Sequence, residues 1–224
     1  MNGEHNGTPG VPGTVPRSGF RKGRERRAQI LDRMIKMVAT RGVDASSMRS
    51  VADALGVTHT ALRHYFSSRD ELLVAVYQEH EARENSGVEA VGLAVARMRA
   101  SAARNRSVPG LVELYTTLAS DAVQGDHPVA REFMKQRFRW LRSEVTKRVR
   151  TDQEAGRIRQ DLDPVGIAAL LIAASDGLQA QWLLDPAAVD TERVLCLFGL
   201  LVADTTAREG AENALALPAP SRSA

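Results

Sequence analysis

Apolar residues recur at intervals of three and four along most of the chain, and nothing alternates as a strand would, so the pattern predicts an all-α protein. Ala28, Leu31, Met34 or Ile35, and Val38 form a stripe that predicts a first helix from about Gly23 to Arg41, with Gly42 as its stop. Ser47 is a good cap for a short helix that carries Met48, Val51, Ala52 and Leu55 on one face. Gly56 ends that helix where the chain must turn, since a residue without Cβ takes positive φ at little cost. Val57 then tucks inward, and Thr58 caps a second short helix with Ala61 and Leu62 on a small buried side. The other side carries His59, Thr60, Arg63 and His64, all hydrogen-bonding and none acidic. Ser68 and Glu71 form a capping box that opens a fourth helix, Arg69 to about Asn85.

Longer helices are expected beyond Ser86, at about 88–103, 110–123, 128–155, 164–184 and 191–208, separated by Pro- and Gly-containing breaks. In the helix from Pro128, Met134, Phe138, Leu141, Val145 and Val149 form a core stripe. Arg131, Lys135, Arg139 and Arg142 form a basic strip beside it, read as solvated charge with a second DNA surface as the minority reading. The last two helices are apolar over most of their circumference, which requires cover on both sides. A symmetric four-helix dimer interface supplies it, with Leu170, Ala174, Leu178, Leu197 and Leu201 expected at the seam. Asp176, a carboxylate in an apolar helix, needs a partner. It could face a ligand or the seam, and the seam is favoured.

Charge placement turns the short helical pair from a generic hairpin into a DNA-binding candidate. Residues 17–70 hold 12 Lys/Arg against 5 Asp/Glu, whereas the whole chain holds 30 against 27, so positive charge gathers around the pair as a phosphate-binding surface requires. The arginines and lysine between Arg17 and Arg27 form a basic arm that either reaches DNA or only aids solubility. Aromatics at 4% are too scarce for stacking on single strands to be the main mode of binding. The lone Cys196, in an apolar run, excludes an internal disulfide and suits a reducing cytoplasm. No secretory leader is evident, and the longest apolar run, Val194 to Ala203, is too short to cross a bilayer, so no membrane partner is expected.

The run from Arg27 to Val76 resembles the DNA-binding domain of the tetracycline-repressor family. Ile30-Leu31, Gly42, Val51-Ala52, Leu55-Gly56-Val57, Leu62, Tyr65-Phe66, Ser68-Arg69 and Leu72-Leu73 carry that resemblance. The C-terminal half resembles the family more loosely, through Gly156-Arg157-Ile158, Asp161-Leu-Asp-Pro and Asp176-Gly-Leu-Gln. Three positions depart from the commonest pattern: His59-Thr60-Ala61 replace Lys-Gly-Thr, Arg63 replaces a phosphate-contacting Tyr, and Arg69 replaces a Lys.

The resemblance implies an N-terminal three-helix helix-turn-helix domain and a C-terminal helical bundle for ligand binding and dimerisation. The divisions expected are a disordered tail at 1–19, the DNA-binding domain at 20–68, the helical domain at 69–209 and a second disordered tail at 210–224. His59, Thr60, Ala61, Arg49 and His64 are expected at base edges, and Ser47, Thr58, Arg63, Tyr65 and Arg69 in the rest of the contact with double-stranded DNA, mostly on phosphates. Met98, Tyr115, Phe133 and Trp140 are candidates for an effector pocket, although core packing explains the same residues. No enzyme motif is present, and neither cofactor nor metal is expected. His80 and Glu84 share a helix face but do not complete a site, and His127 is remote in sequence. The expected function is that of a homodimeric regulator, most simply a repressor released from a near-palindromic operator by a small molecule. A ligand-independent DNA-binding factor and a helical-bundle enzyme with an inherited hairpin are the alternatives.

Overall fold

The computed structural model describes residues 17–42, 47–85 and 94–204. They form nine α-helices: α1 Arg17–Arg41, α2 Met48–Leu55, α3 His59–Tyr65, α4 Arg69–Asn85, α5 Ala94–Arg106, α6 Pro109–Val123, α7 Pro128–Glu154, α8 Pro164–Leu184 and α9 Thr191–Val202. The expected all-α class therefore holds among the described residues. The expected tails lie outside them apart from 17–19, which are helical. α1 begins six residues before the position its apolar stripe suggests. No proline follows Pro16 to stop it, and an internal glycine costs only about 1 kcal/mol, too little to end a helix held by tertiary packing.

Proline at the first helical position opens α6, α7 and α8, where the missing N–H has no helical partner to lose. The side chain of Asp163 caps α8 by accepting from the N–H groups of Val165 (3.0 Å) and Gly166 (2.8 Å). α5 reaches Arg106, three residues past the expected stop. α9 ends at Val202, short of the expected Arg208, because Ala203 turns extended and forms an isolated antiparallel bridge with Ile158. The N–H of Arg159 donates to the carbonyl of Val202 (3.0 Å), so the α7–α8 loop is laced to the end of α9.

Two buried clusters organise the molecule. The first joins Leu31 and Met34 of α1, Val51 and Leu55 of α2, Leu62 of α3 and Leu72 of α4 to Leu114 and Leu118 of α6 and Met134 of α7. The second joins Ala102 of α5, Val149 of α7, Leu171 and Ile172 of α8, and Leu195 of α9. Phe138 packs against both. α1 and α6 cross at Gly110, where a Cβ would stand 1.8 Å from the carbonyl oxygen of Val38. Only glycine fits there.

Arg131, read from sequence as solvated charge, instead closes the end of α6 by donating to the carbonyls of Ala122 (3.2 Å), Val123 (3.4 Å) and Gln124 (3.1 Å). α8, with 21 residues, is long and apolar enough to cross a membrane by length and composition. Its Ile167, Leu171, Ile172 and Leu178 side is core of the second cluster, as in the central helix of a globular body.

Candidate nucleic-acid interface and interior cavity

The helix-turn-helix is built as its caps dictate. Ser47 Oγ accepts the N–H of Ser50 (3.2 Å) and so starts α2. Gly56 ends it at φ 65°, with its own N–H on Asp53 and the N–H of Val57 reaching back to Ala52. Arg33 of α1 donates to the carbonyl of Leu55 (3.0 Å), fixing the turn from outside. Thr58 Oγ1 accepts the N–H of Ala61 (3.1 Å) and starts α3.

Leu62 alone is buried in α3. Thr60, Ala61, Arg63 and His64 are exposed and His59 is half-buried, so almost the whole helix is presented outward. Ala61, expected to share the buried side with Leu62, is on the surface. Ser47 and Arg49 at the start of α2, and Thr58 at the start of α3, are exposed as well. Tyr65 is half-buried, packing against the first cluster and standing edge-on to His64 with ring centroids 5.1 Å apart. Arg63 reaches past the end of α3, donating through Nη2 to the carbonyl of Ser67 (3.3 Å).

Arg69 differs from the sequence reading. Its guanidinium is turned toward Asp121 of α6, 3.5 Å away, and is only 26% exposed. The partly withdrawn Asp121 carboxylate draws the guanidinium inward as an ion pair. The capping box is also shifted: Ser68 Oγ accepts the N–H of Glu71 (3.1 Å), but the Glu71 carboxylate takes the N–H (2.8 Å) and hydroxyl (2.6 Å) of Ser67, not of Ser68. Those bonds hold the Glu71 carboxyl below its ordinary range.

A cavity of about 180 Å³ lies between α4, α5, α6, α7 and α8. Of the four pocket candidates, Met98 and Tyr115 line it. Phe133 does not; it packs edge-on to Tyr77, centroids 5.9 Å apart, inside the first cluster. Trp140, two turns on along the same face, is 56% exposed and lines no described cavity. Periodicity assigns the face but not whether a neighbouring helix covers it.

The wall is more polar than the sequence suggested. Arg137, which no apolar stripe marks in the sequence, is buried between Tyr77 and Tyr115, its guanidinium carbon 4.9 and 5.2 Å from their ring centroids. Its Nη1 pairs with Glu81 of α4 (2.5 Å), while its Nε is buried with no hydrogen-bond partner. Asp176 faces this cavity, not an outer seam, and accepts the hydroxyl of Tyr115 (3.1 Å). Burial pushes the Asp176 carboxyl up to about 6, against the lowering effects of the Tyr115 hydroxyl and of Arg137. Burial likewise raises both tyrosine hydroxyls, so they remain protonated donors. His80, Ser101, Arg104, Asn105, Ser107, Ser175 and Gln179 complete the polar lining.

On the outside of α8 and α9, Leu170 (63%), Leu197 (55%) and Leu201 (60%) are exposed and Ala174 is half-buried. Leu178, expected beside them, is 7% exposed and belongs to the second cluster. It lies two turns from Leu171 and so shares that residue's inward face.

Residues 30–76 match the model of bacterial regulatory proteins of the tetR family, and residues 111–208 match the C-terminal domain of BetI-type transcriptional repressors. The chain belongs to the tetracycline-repressor family. It is 23% identical over 184 residues to the HTH-type transcriptional regulator PksA of Bacillus subtilis, covering 76% of this chain and 84% of that one. It is 28% identical over 159 residues to an HTH-type transcriptional repressor of Mycobacterium tuberculosis, covering 70% and 81%. A regulator from Saccharomonospora viridis, solved in complex with choline, shares the fold at a TM-score of 0.64 and 19% identity, covering 81% and 99%. This TetR-family chain is accordingly a DNA-binding transcriptional regulator. The matched families and relatives are regulators, not enzymes.

Proposed function

We propose that the regulator acts in the cytoplasm as a homodimer and lets go of a near-palindromic operator when a small polar molecule occupies the α4–α8 cavity. The observation that carries this is α3, a helix held by one buried residue, Leu62, with every other hydrogen-bonding side chain turned outward or half-outward. His59, Thr60, Ala61, Arg49 and His64 read base edges; Ser47, Thr58, Arg63 and Tyr65 hold and orient the backbone. Two such heads, ~34 Å apart, read successive major grooves. The exposed Leu170, Leu197 and Leu201 strip, with Ala174 at its edge, supports a shared four-helix seam.

The effector proposed is polar and neutral or anionic. A quaternary ammonium needs an open aromatic face. Here Arg137 already occupies the space over Tyr77 and Tyr115, and its buried Nε has a hydrogen bond still to make. Repression fits the Mycobacterium tuberculosis relative, itself a repressor.

Selection of bound fragments from random duplex DNA tests the reading. The result expected is an inverted repeat with half-sites about one helical turn apart; fragments without any common sequence would refute it. A screen of small polar molecules by thermal shift, followed by operator release, tests the effector arm.

A further inference from the structure

The start of α4, the end of α6 and the start of α7 meet at one corner, away from the cavity, and three side chains able to bind metal converge there. His127 Nδ1 lies 2.9 and 3.1 Å from the two carboxylate oxygens of Asp70. Asp121 completes the group, with one ligand atom from each of the three residues lying within 4.8 Å of the others. All three are substantially withdrawn from solvent, their side chains 13%, 16% and 29% exposed for Asp70, Asp121 and His127.

Two separate ion pairs, His127 with Asp70 and Arg69 with Asp121, account for part of this arrangement. They leave one atom without a hydrogen bond. Asp121 Oδ2 is shut off from solvent without a hydrogen bond, and the Arg69 nitrogen at 3.5 Å is too far to supply one. The Arg69 guanidinium pairs with that oxygen only at 3.5 Å, and a divalent ion at about 2.1 Å would satisfy it more fully.

Ligands at 2.0–2.2 Å around a tetrahedral ion stand roughly 3.3 Å from one another. The His127–Asp70 separations are already near that spacing, and side-chain rotation suffices to bring Asp121 in. One imidazole nitrogen with two carboxylates selects a first-row divalent ion, because calcium and magnesium take oxygen ligands. We infer that Asp70, Asp121 and His127 form a site for a first-row divalent transition ion that staples the first turn of α4 to the α6–α7 corner. α4 follows directly from the recognition helix, so the ion fixes the DNA-binding head on the body in the conformation described above. This assignment does not depend on the effector reading, and it replaces the expectation from sequence that no metal site exists.

The test uses the full, tag-free chain after chelator treatment, titrated with zinc chloride by calorimetry and with cobalt chloride by visible absorption. One equivalent of zinc should bind and raise the melting temperature. Cobalt should give the intense bands of a low-coordinate site with a nitrogen ligand. His127→Gln and Asp121→Asn, each checked for helix content by circular dichroism, should weaken zinc roughly tenfold or more and lose the cobalt bands. Binding that is unchanged in both variants would place the ion elsewhere, for instance at His59 and His64, and overturn the assignment. So would a wild-type chain that shows neither zinc heat nor cobalt bands, a result that needs no variant to fold.

Discussion

The hydroxyl of Tyr115 donates to the carboxylate of Asp176 across 3.1 Å, joining α6 to α8 at the wall of the cavity. The bond does not repay the burial of the carboxyl, whose pKa stands near 6 instead of 3.8. Between pH 3.8 and about 6 the folded chain therefore holds a proton on Asp176 that the unfolded chain has released. Stability from this group is fully present below the unfolded value and lost as pH rises through about 6. Asp176→Asn keeps the acceptor for Tyr115 and removes the charge. It should raise stability at about pH 8 by on the order of 1–3 kcal/mol, with no such gain at about pH 4. Urea midpoints of both proteins at the two pH values check this; equal differences at both would refute it.

Arg63→Ala should weaken binding to all duplex sequences alike and reduce the log–log salt slope by ~1, the loss of one phosphate contact. Leaving its bond to the Ser67 carbonyl costs Arg63 little, because the pair is exposed. A changed base preference at one operator position with an unchanged salt slope would instead put Arg63 at a base edge.

Leu170→Glu places a charge in the middle of the exposed α8 strip without touching the second buried cluster. Sedimentation should show single subunits, with helix content retained. A profile identical to the parent would remove the α8–α9 face from the dimer proposal.

Gly110→Ala puts a methyl group 1.8 Å from the Val38 carbonyl oxygen, which already accepts the N–H of Gly42. The obstacle is backbone, so no rotamer change relieves it, and α1 and α6 must separate. The expected loss is about 3 kcal/mol or more in urea unfolding. Gly125→Ala, where nothing lies within 4 Å, is the control and should stay within about 0.5 kcal/mol.

Local chemistry was legible in the chain and distant chemistry was not. Ser47, Gly56, Thr58 and Asp163 each act within four residues of themselves, and all four terminate helices as read. The partner of Asp176 is 61 residues away and that of Arg137 is 56, separations at which a linear pattern carries no pairing information. Arg137 leaves no mark in an apolar stripe, because a guanidinium enters a core on the strength of one acid and two rings. The same limit hid the meeting of Asp70 with His127, 57 residues on. Leu178 was misassigned for another reason: in a helix apolar on nearly every side, composition no longer distinguishes the face toward its own subunit from the face toward a neighbour.

The first buried cluster runs without interruption from Leu62, beneath the recognition helix, to Leu118 and Met134 in the body. A fragment cut after Asn85 would keep every residue proposed to touch DNA yet expose the underside on which those residues are mounted. Such a piece should melt at lower temperature than the intact chain and grip its target poorly, because the smallest part that recognises DNA is not the smallest part that can stand alone.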